Sequence, residues 1–263
     1  PNGLRRHLAV IAQTGAGKSY LTGLLIEQLL QLGGTILIFD PNSDYVRMKY
    51  KKRDDTSRSP KETEFSDNIE IYRPPGIKGR RYDDDQIGGS EDFTVRFSQL
   101  SNSDVFNFAG VPTNASRIQQ SIRIGREELT EEGDYKPEDL LNKLQKISED
   151  DGRDNEVVEG ARKAKEYVRS LTDLDIWGYN DLPVDNITEP MKASVVDLAG
   201  MPSYVSEFIV QKSMNEVWKK ASRGELSHPV FIVLEEGHNF VPGKGSAYSS
   251  STINKVASEG RKF

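Results

Sequence analysis

Short, mainly apolar blocks punctuate this chain at 8–11, 35–39, 193–196 and 230–234. Blocks of this length, rich in Ile, Val and Leu, predict strands covered on both faces. A further short strand is expected at 69–73. Between the blocks, apolar positions recur at three- and four-residue spacing. Residues 20–32 read as a helix behind the first block, stopped by Gly33 and Gly34. Residues 204–222 form a second, with Val205, Phe208, Ile209, Val217 and Trp218 on its apolar face. Residues 251–262 form a last one, with Ser251 or Thr252 as its cap. This alternation predicts an α/β fold, a parallel sheet with helices on both faces.

The middle of the chain follows a different rhythm. From about 113 to 172 the pattern is helical throughout. Ile118, Ile122 and Leu129 fall on one stripe, Leu140, Leu144 and Ile147 on another, and Val157, Ala161, Ala164, Val168 and Leu171 on a third. The expected organisation is a core of residues 1–74 and 191–263, interrupted by a helical-bundle insertion at 75–190. Residues 47–68 are nearly all polar and carry Arg47, Lys49, Lys51, Lys52 and Arg53. Two readings stay open there, a solvated loop and a basic loop that touches nucleic-acid phosphates. Asp83, Asp84 and Asp85 begin like a calcium loop, but Ile87 and Thr94 occupy ligand positions, leaving an acidic surface loop.

Composition narrows the function classes. With 263 residues and a net charge of -6, the chain is long enough for a sizeable core and too acidic for a uniformly basic nucleic-acid-binding surface. There is no cysteine, so disulfides and cysteine-held zinc are excluded. No apolar run approaches the roughly 20 residues of a membrane helix, and no secretory signal precedes the first block. The expectation is a cytoplasmic protein without membrane contact. The missing initiator Met and the ending at Arg261, Lys262 and Phe263 suggest a piece of a longer chain.

Chemistry concentrates at two places. Residues 12–19 read Ala-Gln-Thr-Gly-Ala-Gly-Lys-Ser, between a strand pattern and a helix pattern. That context makes a phosphate-binding loop. Glycines let successive N–H groups turn toward an anion, and the helix start adds its positive dipole end. Thr14, Gly15, Ala16, Gly17, Lys18, Ser19 and Tyr20 are the expected nucleotide cradle, with Lys18 on the β- and γ-phosphates and the Ser19 hydroxyl on Mg²⁺. Ala12 replaces the first glycine of the usual pattern. The second place is Glu235-Glu236, at the end of the most apolar strand, where α/β sheets put their ligands. Glu235 is assigned to the Mg²⁺ shell and Glu236 to the attacking water. His238 and Asn239 are candidate phosphate sensors, and Asp40 and Asp197 end neighbouring strands as supporting carboxylates. A GTPase reading of residues 197–200 with Asn254 and Lys255 meets Ala257 where the base-reading Asp belongs.

Together the stretches at 12–19, 39–45, 196–200, 234–242 and 257–263 resemble the HerA branch of the HerA/FtsK ATPases. Gly237 departs from the Glu-Glu-Ala-His-Asn pattern of that branch. The resemblance implies a RecA-like P-loop NTPase core, ATP and Mg²⁺ as ligands, a homo-hexameric ring and ATP-driven movement along double-stranded DNA. It also implies a nuclease partner in DNA end processing, and a role for Arg261 as the finger that reaches a neighbouring subunit's ATP. The amino-terminal barrel typical of the family is not within this sequence. Two other classes share such a core, a secretion- or conjugation-type ATPase and a nucleotide-dependent assembly module of a nuclease complex.

Overall fold

The computed structural model describes residues 7–11, 13, 15–51, 62–242 and 248–260. The chain divides into two compact units, Pro1–Arg73 with Ile77–Phe93 and Leu182–Phe263, and Pro74–Gly76 with Thr94–Asp181.

The first unit is built on a sheet of β1 (Thr35–Asp40), β2 (Ile69–Arg73), β3 (Glu91–Asp92), β4 (Ala193–Asp197) and β5 (Val230–Leu234). The order is β3-β2-β4-β1-β5, and every pairing is parallel. Every residue of β1 and β4 is buried, so both faces are covered. Ile36 and Ile38 pack with Ile26, Leu29 and Leu30 of α1 (Lys18–Gln31), while Leu37 and Phe39 alternate to the opposite face. The other helices of this unit are α2 (Asp84–Ile87), α7 (Val184–Ile187), α8 (Ser203–Ser222) and α9 (Ser250–Glu259). Residues 77–93, assigned to the insertion by pattern, lie in the sheet's unit and supply β3.

The expected strand at 8–11 does not form. Residues 7–11 have no regular structure, and Leu8 and Ile11 are 69% and 92% exposed. An apolar block needs a paired neighbour to become a strand, and the described sheet ends at β5, which is half-buried along its length. The cap of α9 also differs from expectation. Ser249 occupies the cap position and its hydroxyl donates to the Phe240 carbonyl, while Ser251 and Thr252 lie inside the helix.

The second unit holds α3 (Asn102–Ala109), α4 (Ser116–Glu132), α5 (Pro137–Ser148) and α6 (Asn155–Thr172). The buried residues of α4, α5 and α6 include every member of the three stripes. Ser101 caps α3 by accepting the Asp104 N–H at 3.1 Å. The buried Arg126 guanidinium ties α4 to the start of α3, through Asn102 Oδ1 at 2.6 Å and the Leu100 carbonyl, and also donates to the Tyr135 hydroxyl at 2.9 Å. Among the described residues, no helix is long and apolar enough to cross a membrane.

Candidate functional site

The two glycines of the expected phosphate loop take a left-handed backbone. Gly15 and Gly17 have φ of 81° and 84°, a region that L side chains resist. Gly17 is the residue preceding α1, and no side chain caps that helix. The N–H groups of a helix start point along the axis toward an anion, with the helix dipole adding to the attraction. Lys18 and Ser19 occupy the first turn, and Tyr20 beside them is exposed. Ala12, Thr14, Lys52, Arg53 and Arg261 lie outside the described residues.

The parallel register brings three carboxylates to one edge. Asp40 is level with Asp197, and the Glu235 N–H donates to the Phe39 carbonyl at 3.2 Å, continuing the β1–β5 ladder. Two of the four expected acids meet the phosphate loop. Lys18 Nζ donates to Glu236 Oε1 at 2.9 Å, and Ser19 Oγ reaches Glu235 Oε1 at 3.1 Å. These contacts join positions more than two hundred residues apart in sequence. Held by this hydrogen bond, the Lys18 ammonium lies above the ordinary lysine range, and Glu236 lies below the usual carboxylate range for the same reason. Glu236 has φ of 48°, a left-handed backbone uncommon for a non-glycine residue. His238 is exposed and its Nδ1 lies 3.1 Å from Glu236 Oε2. Asn239 is exposed, and its backbone N–H donates to the Glu236 carbonyl at 2.8 Å.

Asp40 and Asp197 do not touch Lys18 or Ser19; Asp40 stands behind the crevice, on the N–H of Tyr45. Asp40 is fully buried and accepts the N–H groups of Tyr45 at 2.7 Å and Asn42 at 3.2 Å. Burial raises its pKa to about 7, opposed by those N–H donors. Asp197 is also fully buried and is clasped by Arg73, whose Nε and Nη2 both reach Oδ2, at 3.1 and 2.6 Å. Ser43 Oγ donates to its other oxygen at 2.9 Å. A carboxylate so engaged serves the packing of β1, β2 and β4. Removing either partner of such a buried pair costs about 3–5 kcal/mol. It is not disposed as the exposed switch Asp of a GTPase.

Pattern reading missed two residues that face the same crevice. Asp44 Oδ2 accepts from Ser19 Oγ at 2.9 Å, and the buried Tyr45 hydroxyl donates to Glu235 Oε2 at 2.7 Å. Both lie in the 39–45 stretch, where Asp40 ends β1 and the chain turns back. The Ser19 hydroxyl has one proton and two carboxylate acceptors. That surplus of oxygen lone pairs and negative charge suits a hard divalent cation. Among the described residues, no three His, Asp or Glu side chains form a closed metal cage. Mg²⁺ does not require one, since it keeps waters and takes ligands from phosphates.

The basic stretch is partly committed. Lys49 Nζ donates to the Gly88 carbonyl at 3.2 Å, and the Arg47 guanidinium lies over Tyr82 and Tyr50 at 5.3 and 5.8 Å. Lys51 is exposed.

Comparison with known proteins points one way. Residues 1–217 match the family described as helicase HerA, central domain. The DNA double-strand break repair helicase HerA of Sulfolobus acidocaldarius is 24% identical over 278 residues, covering 100% of this chain and 50% of that protein. A probable helicase of Methanocaldococcus jannaschii is 23% identical, covering 98% of this chain and 47% of its own length. The HerA helicase of Saccharolobus solfataricus is 24% identical, with 100% and 49% covered. The chain therefore spans about half the length of the curated relatives it matches.

Proposed function

Because the chain belongs to the HerA helicase central-domain family, we propose that it binds ATP with Mg²⁺ and hydrolyses it to drive movement on double-stranded DNA. The observation that carries this reading is the meeting of Lys18 and Ser19 with Glu236 and Glu235 across one crevice. In the proposed reaction, Lys18 exchanges Glu236 for the β- and γ-phosphate oxygens of ATP. Glu236, released from the ammonium, accepts a proton from a water that attacks the γ-phosphorus. The bond from that phosphorus to the bridging oxygen breaks, leaving ADP and phosphate. Bound Mg²⁺, held through Ser19 and Glu235, would supply positive charge against the phosphates. His238, in contact with Glu236, and the neighbouring Asn239 are the proposed sensors of the γ-phosphate. Arg261 is proposed to act on the ATP of an adjacent subunit in a homo-hexamer of the full-length protein, with a nuclease as working partner.

The test is DNA-stimulated ATP hydrolysis by the full-length protein. Lys18→Ala should abolish turnover and weaken nucleotide binding. Glu236→Gln should keep binding and lose at least about a hundredfold in turnover, the scale of a missing general base. Wild-type turnover in either variant overturns the assignment.

A further inference from the structure

We infer that Tyr45 is the positioning residue that fixes Glu235 for divalent-cation binding, an inference that rests on reading this crevice as a nucleotide site. Glu235 is 6% exposed and both of its oxygens face hydroxyl groups, Oε1 that of Ser19 at 3.1 Å and Oε2 that of Tyr45 at 2.7 Å. A glutamate carries one more rotatable bond than an aspartate, so its carboxylate has more orientations to lose before it serves a metal. Tyr45 removes that freedom. Its ring is 1% exposed and belongs to the core cluster with Ile36, Ile38 and Val46. Its N–H is held by Asp40 Oδ2 at 2.7 Å. Ring, backbone and hydroxyl thus form one rigid strut from the end of β1 to the end of β5. The phenol carries one proton, and in this geometry it is donated to Glu235 Oε2. One oxygen of Glu235 is tethered to the core and the other is turned toward Ser19. The chain thereby holds a longer acid in a fixed place.

Tyr45→Phe keeps the ring and deletes only the donor, which makes it a clean probe. The full-length protein is titrated with a fluorescent ATP analogue, with Mg²⁺ and in excess EDTA, beside Lys18→Ala and Glu235→Asp. A hydrogen bond to a charged group predicts about a tenfold rise in the half-saturating Mg²⁺ concentration in Tyr45→Phe. Affinity in EDTA should match wild type, because the phosphate loop is untouched. In the Glu235→Asp background, whose shorter arm leaves the phenol behind, adding Tyr45→Phe should change nothing further. Unchanged Mg²⁺ dependence in Tyr45→Phe overturns the inference, as does equal weakening with and without Mg²⁺, which would mark a general packing role. Those failures are separable from failure of the site itself. If wild type binds the analogue and Lys18→Ala does not, the nucleotide reading stands while Tyr45 is dismissed. If wild type binds none, both fall.

Discussion

Asp40 shows how one side chain sets a pH dependence for the fold. Its carboxyl is buried at the end of β1 with a pKa near 7, against roughly 3.9 in an unfolded chain. Between those values the folded protein keeps a proton that the unfolded chain has released. Stability from this group is full below about pH 4, declines as pH rises, and levels off above about pH 7. At mid-window the slope approaches about 1.4 kcal/mol per pH unit, one proton's worth. Urea denaturation at several values between pH 5 and 8 should reveal that decline in the wild type and flatten in Asp40→Asn. An identical slope in both proteins would assign the effect to another group. The neighbouring acids illustrate why residue roles at this edge were only half legible. That Asp40, Asp197 and Glu235 end strands was readable from the three apolar blocks that precede them. That Arg73 claims Asp197, and that Asp44 and Tyr45 turn back to Ser19 and Glu235, depends on a β1–β4–β5 register that no local pattern encodes.

Among the elements, the helices of the second unit were the most readable. An amphipathic stripe records which face is buried, and all three stripes are buried in α4, α5 and α6. The eight-residue α3 is too short to display a repeat and was missed. The block at 8–11 erred the other way, because apolar composition says nothing about whether a partner strand lies alongside. Close packing of α4 on α6 was also beyond the stripes. A Cβ on Gly160 would lie 2.4 Å from Ser121 Oγ and 2.5 Å from the Arg117 carbonyl oxygen, so the two helices approach where only glycine fits. Gly160→Ala gains about 1 kcal/mol of helix propensity but incurs an overpacking cost of about 1–3 kcal/mol. A net loss of stability in urea is the expected outcome; a net gain would mean that the helices separate easily.

Over the whole molecule, charge is divided unevenly between the two units. The chain has 35 basic and 41 acidic residues. The unit of Pro74–Gly76 and Thr94–Asp181 holds 12 of the former and 18 of the latter, leaving 23 of each in the sheet's unit. The entire net charge of -6 therefore belongs to the helical unit. Such a surface repels phosphate backbones, so the DNA contact proposed above is expected from the sheet's unit. Neutralising Lys51, Lys52 and Arg53 together should lower the salt slope of DNA binding by about 0.9 for each phosphate that these side chains neutralise. Neutralising Arg162 and Lys163 in α6 should leave that slope unchanged. The reverse result would move the DNA track onto the helices.

Glu236 occupies a backbone conformation in which glycine would sit at ease. The chain tolerates a steric penalty where the Glu236 carboxylate leaves the sheet and meets Lys18. In the proposed reaction, robustness and reactivity are thus opposed at a single peptide unit. The residue that would relax this corner is one that would leave it chemically silent.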